Sequence, residues 1–464
     1  MRARRQGGRR HRFRTFLFVA IPLGALGAAV AYHLVVVATR VESARKTILT
    51  ASALAERGNI AAADAQLVQA EVKMLEASRV INSSPDIVAV RWIPIIGQNL
   101  NSIRDMVGIG FQLVVGGRDI LGAARPLADT SGQLQVPMRD GQIPVPVVQA
   151  TQRAVDDLAG SLPAESDAPH SPFILPPISH LQKRIYAEAG RRKTQFRTVS
   201  AGLRLLADMS GANGPRRYLV MVSNEAEMRG TGGMYLHYAV ISAADGKFRL
   251  DKVGPIDDLR LTQAPTVPTP PDYLQRFNAL QPSLLWRNVN LTSDFNAAAP
   301  VVEAMYLQSG GDPLDGVIQI DSDGLAAILA GTGPVNVDPL GAVTAQNAVA
   351  LTLNQEYVAF PDRDVRREFL GDVARATFDK LTTGNYTSLR PLATSLIRAA
   401  AARHVLINTT QPDAEKAVQE LALDGQPPPS DSDFAELTVQ NFSGNKLDYY
   451  LDSKLTVRGQ RRAG

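Results

Sequence analysis

Three arginines near the start of a predicted helix have the spacing of an anion-binding site. Arg363, Arg366 and Arg367 lie three and four residues apart, so they share one face of a helix that the sequence predicts over residues 363–381. The free N–H groups of a first helical turn and the helix dipole favour an anion at the same end. Because guanidinium groups bind phosphate oxygens well, the pattern indicates a phosphate or pyrophosphate site.

Acidic residues in the same segment leave a second interpretation open. Their carboxylates would neutralise the arginines in a solvated network of surface ion pairs, without any ligand. The acidic residues concerned are Asp362, Asp364, Glu368 and Asp372.

A fourth arginine, Arg229, lies in a mostly polar segment, 224–231, between two predicted strands. The glycines that follow it let a backbone approach a ligand closely. We expect Arg229 to meet the same anion as the helix arginines, so the predicted catalytic set is Arg229, Glu227 and those three arginines. Glu227 and Asp258 are the predicted oxygen ligands of a metal ion, Mg²⁺. The alternative is a structural turn that a Glu227–Arg229 ion pair closes.

Composition excludes several other kinds of chemistry. The chain of 464 residues has no cysteine, which excludes disulfides, thiolate metal sites and cysteine nucleophiles. Its six histidines show no H-x-x-x-H spacing, and neither a G-x-S-x-G motif nor a Walker loop occurs. His237 alternates within a predicted strand and is interpreted as a packed residue rather than a ligand.

The basic charge of the chain is confined to one end. Net charge is +4, but seven arginines fall within residues 1–14, so the remainder carries 4 − 7 = −3. A chain without an extended basic surface is not expected to bind nucleic acid.

Residues 15–39 predict a single transmembrane helix, because they contain no Asp, Glu, Lys or Arg. At about 1.5 Å per residue this stretch is long enough to cross the roughly 30 Å hydrocarbon core of a bilayer. The arginines before it favour a basic cytoplasmic tail, with the bulk of the chain outside the cytoplasmic membrane. They also make membrane lipid an expected partner. A cleaved signal peptide is the alternative, although its apolar region is typically only about 7–15 residues long.

Beyond the anchor, the pattern of apolar residues predicts three regions. Residues 40–210 show mostly helical periodicity and predict a helical stalk with loops, in which Trp92 packs as a core residue. Residues 211–424 alternate short apolar runs with helical segments, which predicts an extracytoplasmic α/β or α+β layered domain with a mixed sheet. Residues 425–464 alternate polar and apolar side chains about a Gly-Asn turn, which predicts a C-terminal β-hairpin and tail.

Several motifs resemble those of bacterial membrane-anchored proteins grouped as domain of unknown function 4012. The main one is NEAEMRGTGG, Asn224–Gly233, which is similar to the family's run NNAELRPTGG and departs from it at Glu225, Met228 and Gly230. Other similar stretches are WIPIIGQN, RNVNLTSDF, DGVIQID, GTGPVNV and NFSGNKLDYYL. The resemblance covers most of the chain and implies an anchored protein of the cell envelope.

A looser resemblance bears on activity. Residues 315–339, a following helix and the segment FPDRDVRREFLGDVARATFDKL look like the second half of the LytR-CpsA-Psr domain. Proteins with that domain transfer glycans from polyprenyl-pyrophosphate carriers to the cell wall, with an arginine cluster and magnesium. The resemblance implies a lipid-linked glycan phosphate or cell-wall polysaccharide as partner and Mg²⁺ as cofactor. The paired metal-binding aspartates of those enzymes have no clear counterpart, so binding is better supported than transfer.

Three functions remain open at this point. The first is binding, with or without transfer, of a polyprenyl-pyrophosphate-linked glycan, and it predicts that Arg229 and the helix arginines share one cleft beside an apolar groove. The second is a non-catalytic envelope scaffold, which predicts an exposed apolar patch. The third is a binding module for extracellular polysaccharide or peptide, and an aromatic content of 6% does not favour a surface on which sugars stack.

Overall fold

The structure, a computed structural model, describes most of the chain. The described residues are 7–128, 131–132, 141–266, 271–383, 389–428, 434–442 and 444–456, with side chains from residue 22 onward except at 271, 272, 274, 389 and 390. Arg2, Arg4 and Arg5 of the basic tail lie outside the described residues. Contacts divide the chain into two compact units, residues 1–134 with 150–200 and residues 135–149 with 201–464.

The first unit is built from helices. They are α1 (Gly7–Glu56), α2 (Ile60–Ser83), α3 (Pro85–Val90) and α4 (Pro94–Ala124), with 3-10 turns at Arg125–Leu127 and Glu165–Asp167. Two further helices, α5 (Val145–Ser161) and α6 (Pro176–Met209), each contribute residues to both units.

α1 and α2 form a helical hairpin within the region for which the sequence predicts helices. Gly58 takes a positive φ of 80°, and Asn59 caps α2 by accepting a hydrogen bond from the Ala62 N–H at 2.9 Å. A stripe of α2 at helical spacing is buried in the core of this unit: Leu67, Ala70, Met74, Ala77 and Ile81. Burial of this stripe, more than intrinsic helix propensity, stabilises the pair.

Two helices are long and apolar enough to cross a membrane, judged by length and composition. They are Pro22–Glu56 and Pro94–Leu127. The first shows that the predicted apolar helix near the amino terminus is present. The second buries Leu100, Val107 and Val114 in the same core as α2, as a core helix of the first unit does.

The second unit contains the predicted mixed sheet. Its strands have the spatial order β3-β2-β1-β4-β7, and only the β1–β4 pair is parallel. The strands are β1 (Arg216–Arg229), β2 (Gly232–Ala244), β3 (Lys247–Pro255), β4 (Gly316–Ile320) and β7 (Val405–Thr409). A separate two-stranded sheet pairs β5 (Val335–Val337) with β6 (Gly341–Val343).

Helices of the second unit follow or connect these strands. They are α7 (Pro271–Phe277), α8 (Phe295–Gln308), α9 (Ser322–Thr332), α10 (Ala348–Ala350), α11 (Glu356–Ala359), α12 (Arg363–Thr382), α13 (Leu389–Ala401) and α14 (Pro412–Glu420). A π-helical turn, Leu351–Gln355, joins α10 to α11. Short 3-10 turns occupy Ile256–Asp258, Asn278–Leu280, Trp286–Asn288 and Leu447–Tyr450.

The two faces of the main sheet have different neighbours. Leu219 and Met221 of β1 are fully buried in a core with Phe295 and Met305 of α8. Because side chains alternate along a strand, Val220 and Val222 point to the opposite face. That second face lies against α9 and α12, and it carries the candidate site.

The predicted C-terminal β-hairpin is not confirmed. Within 434–442 and 444–456, where the structure describes this segment, no strand forms. Its polar groups bond to the end of β1 instead: the Asn441 N–H donates to the Met228 carbonyl at 3.0 Å, and the Met228 N–H donates to Asp448 Oδ2 at 2.8 Å. Gly444 does make the expected turn, with a φ of 62°. The segment with alternating polar and apolar residues therefore packs against the end of β1 instead of pairing with itself.

The prediction that Trp92 packs in a core is wrong. Its side chain is 88% exposed, in the turn between α3 and α4. The helices on either side bury Val90 and Leu100, so the turn itself has no core to face.

Candidate functional site

The polar segment 224–231 is the end of a strand pair rather than an open loop. β1 and β2 stay paired as far as Arg229 and Gly232, with two irregularities in register. Gly230 serves close packing, because a Cβ there would come within 2.3 Å of the Thr292 carbonyl oxygen. The run of small residues thus lets another backbone segment pass over the strand end.

Arg229 is only 5% exposed, and backbone carbonyls take its hydrogen bonds. Its Nε donates to Arg287 O at 2.9 Å. Its Nη1 donates to Met228 O at 2.9 Å and to Asn441 O at 2.5 Å, with the Phe442 ring centroid 5.9 Å from Cζ. Burial lowers the pKa of Arg229 from its ordinary value. The residue fastens the end of β1 to two other segments, and its predicted contact with an anion stays a prediction.

Glu227 pairs with a lysine rather than with Arg229. Glu227 Oε2 lies 2.7 Å from Lys446 Nζ. Lys446 Nζ is 5.3 Å from the ring centroid of Tyr357, and Arg366 Cζ is 4.7 Å from the same centroid. One aromatic ring therefore gathers two cations that are far apart in sequence, at distances typical of cation–π contacts.

The remaining helix arginines share one carboxylate. Arg363 Nη2 lies 2.6 Å from Asp257 Oδ2, and Arg367 Nη2 bonds to the same oxygen. Asp257 belongs to the turn after β3, so a distant segment supplies the shared counter-ion, and Asp364 of α12 lies 3.5 Å from Arg367 Nη1 as a second one. Asp362 instead caps α12 by accepting hydrogen bonds from two first-turn N–H groups at 2.8 and 3.1 Å. All three arginines lie in the first turns of α12, but Arg366 contacts Tyr357 and backbone carbonyls rather than Asp257, and a common anion site stays a prediction.

An apolar cavity of about 190 Å³ lies between the main sheet and α12. Val220, Val222 and Ile241 form part of its sheet side, and Leu325 of α9 forms another wall. The cavity-lining residues of α12 are Leu370, Val373, Ala374, Thr377, Phe378 and Leu381.

One stripe of α12 carries both the arginines and the cavity wall. Arg363 and Arg367 are followed by Leu370, Ala374 and Leu381, at steps of three, four or seven residues. Residues at these spacings lie on one side of a helix. The guanidinium groups therefore stand on the same helix side as the apolar cavity and one turn before it.

His237 of β2 lines the cavity and is 8% exposed. Its Nε2 atom is buried and has no hydrogen-bond partner among the described residues. Burial lowers the pKa of His237 to about 4, so the imidazole is neutral at pH 7. The charges of Arg367, Asp258 and Lys446 all act on it, which places it near the cationic end of the site.

Glu356 is a second buried titratable group beside the cations. Its side chain is fully buried, and neither carboxylate oxygen finds a hydrogen-bond partner in the part of the chain that the structure describes. Burial raises the pKa of Glu356 to about 8, against the opposing charges of Lys446 and Arg366. The residue directly follows the π-helical turn, a feature that often occurs at functional sites.

A separate group of possible metal ligands lies at the ends of β1 and β4. Donor atoms of Glu225, Asp323 and His404 fall within 4.8 Å of one another. Burial, followed by the charge of Asp321, raises the pKa of Glu225 to about 8. The hydrogen bond of His404 Nδ1 with Asp321 Oδ2, at 2.7 Å, raises the pKa of His404. The chemistry of these donors suits a divalent cation.

The predicted Mg²⁺ ligands, Glu227 and Asp258, are not members of that group. Glu227 holds Lys446, and Asp258 lies in the exposed turn after β3, close to Gly254. Mg²⁺ at this pair remains a prediction.

Sequence reasoning found the helix arginines but missed Asp257, Lys446 and Tyr357, and it interpreted His237 only as packing. For Lys446 the available signal was its place in NFSGNKLDYYL, one of the quoted motifs. Nothing local in the sequence joins Asp257 or Tyr357 to the arginines, because those contacts depend on the fold.

Comparison with known proteins identifies one family. The sequence model of the family described as Protein of unknown function (DUF4012) matches residues 213–357. The match includes Asn224–Gly233 and leaves out the WIPIIGQN and NFSGNKLDYYL stretches. No curated protein matches the chain. A solved structure described as the transcriptional regulator yvhJ from Bacillus subtilis has 13% identity, covers 45% of this chain and 76% of its own, and gives a TM-score of 0.23, too low to bear on fold or function. Residues 213–357 are therefore similar to the DUF4012 family, whose function is unknown.

Proposed function

We propose that this protein is anchored in the cytoplasmic membrane of a bacterium, with its bulk outside, and binds a polyprenyl-pyrophosphate-linked glycan. The prenyl chain enters the cavity between the sheet and α12, and the phosphates meet the arginines at the start of α12. The observation that carries this proposal is the single stripe of α12 on which Arg363 and Arg367 precede the apolar cavity wall. A ligand with an anionic head and an apolar tail fits this arrangement, with its head at the arginines and its tail in the cavity.

The size of the cavity limits what enters it. A cavity of about 150 Å³ lined by apolar side chains holds benzene. The cavity here, about 190 Å³, therefore suits one or two five-carbon prenyl units next to the phosphate. Burial of such a chain contributes about 0.8 kcal/mol per CH₂ group.

The charges at the start of α12 support a phosphate rather than a carboxylate. Arg363 and Arg367 share Asp257, and Arg367 also pairs with Asp364 at 3.5 Å, so two carboxylates balance these two arginines; Arg366 forms no ion pair within the described residues and supplies the excess positive charge. A pyrophosphate competes with Asp257 for both guanidinium groups and brings more negative charge than one carboxylate. The neutral imidazole of His237 offers the partnerless Nε2 as a further polar contact.

Transfer of the glycan is a further step that only the resemblance implies. Glu227 and Asp258 are its predicted Mg²⁺ ligands, and Arg229 belongs to this proposal as the residue that holds the strand end near Lys446. The proposal here is for binding.

Binding is tested with the full-length protein in nanodiscs and three probes: a polyprenyl phosphate, the matching polyprenol, and inorganic pyrophosphate. We expect the polyprenyl phosphate to bind more tightly than either fragment alone. Arg367→Ala removes a charge-assisted contact and is expected to weaken its binding about tenfold. Arg375→Ala is the matched control, since this exposed arginine of α12 pairs with Asp372. Equal affinity for the phosphate and the polyprenol would overturn the proposal.

Membrane topology is tested separately, using the absence of native cysteine. Ser166→Cys places a thiol at an exposed position of the first unit. A membrane-impermeant maleimide is expected to label it in intact cells, whereas Gly8→Cys in the basic tail reacts only after permeabilisation. The reverse pattern would contradict the proposed orientation.

A non-catalytic scaffold is the second candidate, and one observation favours it. The turn around Trp92 exposes a run of apolar side chains, as a partner-binding surface does.

A further inference from the structure

The first unit exposes several apolar side chains around the turn between α3 and α4. Residues 92–96, WIPII, are five consecutive exposed apolar residues, and such runs are rare on a soluble protein surface unless they have a function. The exposed residues that form this surface, here named the Trp92 patch, are Val88, Trp92, Ile93, Ile95, Ile96, Phe173 and Leu175.

Two segments that are distant in sequence are fastened together to make the patch. Asn99 Nδ2 donates to the Phe173 carbonyl at 3.0 Å, and Asn99 Oδ1 accepts from the Leu175 N–H at 2.8 Å. Asn99 is buried, so both hydrogen bonds are protected from water. The loop before α6 therefore adds its apolar side chains to those of the α3–α4 turn.

The only charged residue of 87–96 turns away from this surface. Arg91 Nη2 donates to the Ile81 carbonyl at 2.5 Å, and its Nε is buried. The exterior of the turn is thereby left without a charge.

Three contacts set the positions of α2 and α3 along α1. Lys73 Nζ bonds to Thr47 Oγ1 at 2.8 Å, and Arg40 Nε pairs with Glu76 Oε2 at 2.8 Å. Further along, His33 Nδ1 bonds to Asp86 Oδ2 at 2.9 Å. α2 and α3 therefore run antiparallel to α1: contacts nearer the amino terminus of α1 are made by residues later in α2 and then in α3. α3 consequently lies level with His33, inside the charge-free stretch 15–39.

Packing agrees with that register. Ile87 and Val90 of α3 belong to a buried cluster against which Leu26, Val30 and Leu34 of α1 pack. The stretch 15–39 spans about 37 Å as a helix, which exceeds the roughly 30 Å hydrocarbon core. A hydrocarbon core that begins at Thr15 ends about 20 residues later, near residue 35, so Tyr32 and His33 lie within about 5 Å of its boundary with the headgroups.

We propose that the Trp92 patch inserts into the outer headgroup boundary of the membrane that α1 crosses, so that the first unit lies against the bilayer rather than standing clear of it. The inference rests on the anchor of the proposed function but not on its ligand. Trp and Tyr favour this boundary, and the side chains of Trp92 and Tyr32 are both exposed, at 88% and 66%. Lys183 and Arg184, exposed on α6 about two turns beyond Leu175, are placed to meet anionic headgroups.

Fluorescence quenching tests the insertion. The full-length protein is reconstituted in vesicles of phosphatidylcholine and phosphatidylglycerol whose acyl chains carry bromine near the headgroup or near the chain end. The chain has two tryptophans, and Trp286 is buried in the second unit with its Nε1 bonded to the Leu259 carbonyl. We expect the shallow bromines to quench part of the emission, the deep bromines to quench less, and Trp92→Phe to abolish this quenching.

A second variant separates insertion from anchoring. Ile95→Glu combined with Ile96→Glu adds charge to the patch and leaves α1 intact, so the protein still floats with the vesicles but loses the quenching of Trp92. Leu49→Glu, at an exposed apolar site of α1 outside the patch, is the matched control and keeps the quenching.

The outcomes distinguish this inference from the proposed anchor. A wild-type chain that fails to float with vesicles overturns both. A chain that floats but shows no quenching by shallow bromine overturns insertion alone. If Trp92 emission is not quenched and the protein forms a larger complex, the patch binds a second copy of the chain or another protein. This result also overturns insertion.

Discussion

Arg229 and Arg366 both donate to backbone carbonyls, yet their surroundings differ. Arg229 is buried and distributes its donors over three carbonyls from three segments. Arg366 is only half-buried and uses Nη1 alone, for Phe360 O at 2.7 Å and Pro361 O at 2.8 Å. Within the described residues its Nε and Nη2 make no hydrogen bond. Arg366 at the start of α12 therefore keeps donors without a partner among the described residues, whereas Arg229, enclosed by carbonyls, holds the chain together.

The largest effect is expected from Arg229→Ala. The change leaves buried carbonyls without a donor and is expected to cost about 3 kcal/mol or more of unfolding free energy. Urea unfolding followed by Trp286 fluorescence measures it. Arg229→Lys keeps the charge but not the planar group, and it is expected to recover only part of the loss. If Arg229→Ala is as stable as the wild type but no longer binds the ligand, Arg229 is a ligand-binding residue and not a structural one.

Arg366→Ala is expected to show the opposite behaviour. Its stability changes by about 1 kcal/mol or less, because only a half-exposed cation–π contact with Tyr357 and two carbonyl contacts are lost. Its affinity for polyprenyl phosphate falls about tenfold, as removal of a charge-assisted contact predicts. Equilibrium binding in nanodiscs checks this, with Arg375→Ala as the control. A large loss of stability in Arg366→Ala would show that Arg366, like Arg229, has a structural role.

Ala374→Phe tests the apolar end of the same stripe. The larger side chain fills space in the cavity, so we expect several-fold weaker binding of polyprenyl phosphate and unchanged binding of inorganic pyrophosphate. Stability stays close to that of the wild type if the ring occupies the empty volume without strain. If both ligands bind as before, the cavity does not hold the chain.

A smaller effect is expected from Glu356→Gln, and it depends on pH. The native pKa of Glu356, about 8, exceeds its ordinary value of 4.5, so the native state keeps a proton that the unfolded state releases. The contribution of this group to stability is complete below its ordinary pKa and is lost as pH rises towards 8. Glutamine cannot ionise, so the variant should unfold a few degrees above the wild type at pH 8.

The matching comparison is made at pH 5, where the two proteins should differ less. Glu225 and Glu303, whose pKa values burial raises to about 8 and about 7, are present in both and cancel in the difference. If the unfolding temperatures of the two proteins differ by the same amount at pH 5 and pH 8, the pKa of Glu356 is not raised in the native state.

Local periodicity predicted the elements that position the site. The strands around β1 and β2, the helix from Arg363 and the buried stripe of α2 all follow from side-chain repeats of two or three to four residues. The segment after residue 433 shows the limit of that reasoning. Its alternation is genuine, but its hydrogen bonds go to Met228 of β1, and no pattern within the segment reveals a partner so far along the chain.

Sequence alone determined three features of this protein: the charge-free stretch that forms an apolar helix, the mixture of strands and helices in the second unit, and the three arginines on one side of α12. Tertiary structure alone decided which of the predicted cations are enclosed. It buried Arg229 among carbonyls, gave Asp257 to Arg363 and Arg367, and exposed Trp92 at a turn. The physical reason is that backbone geometry sets which neighbours share a face, whereas burial and ion pairing depend on segments that only folding brings together.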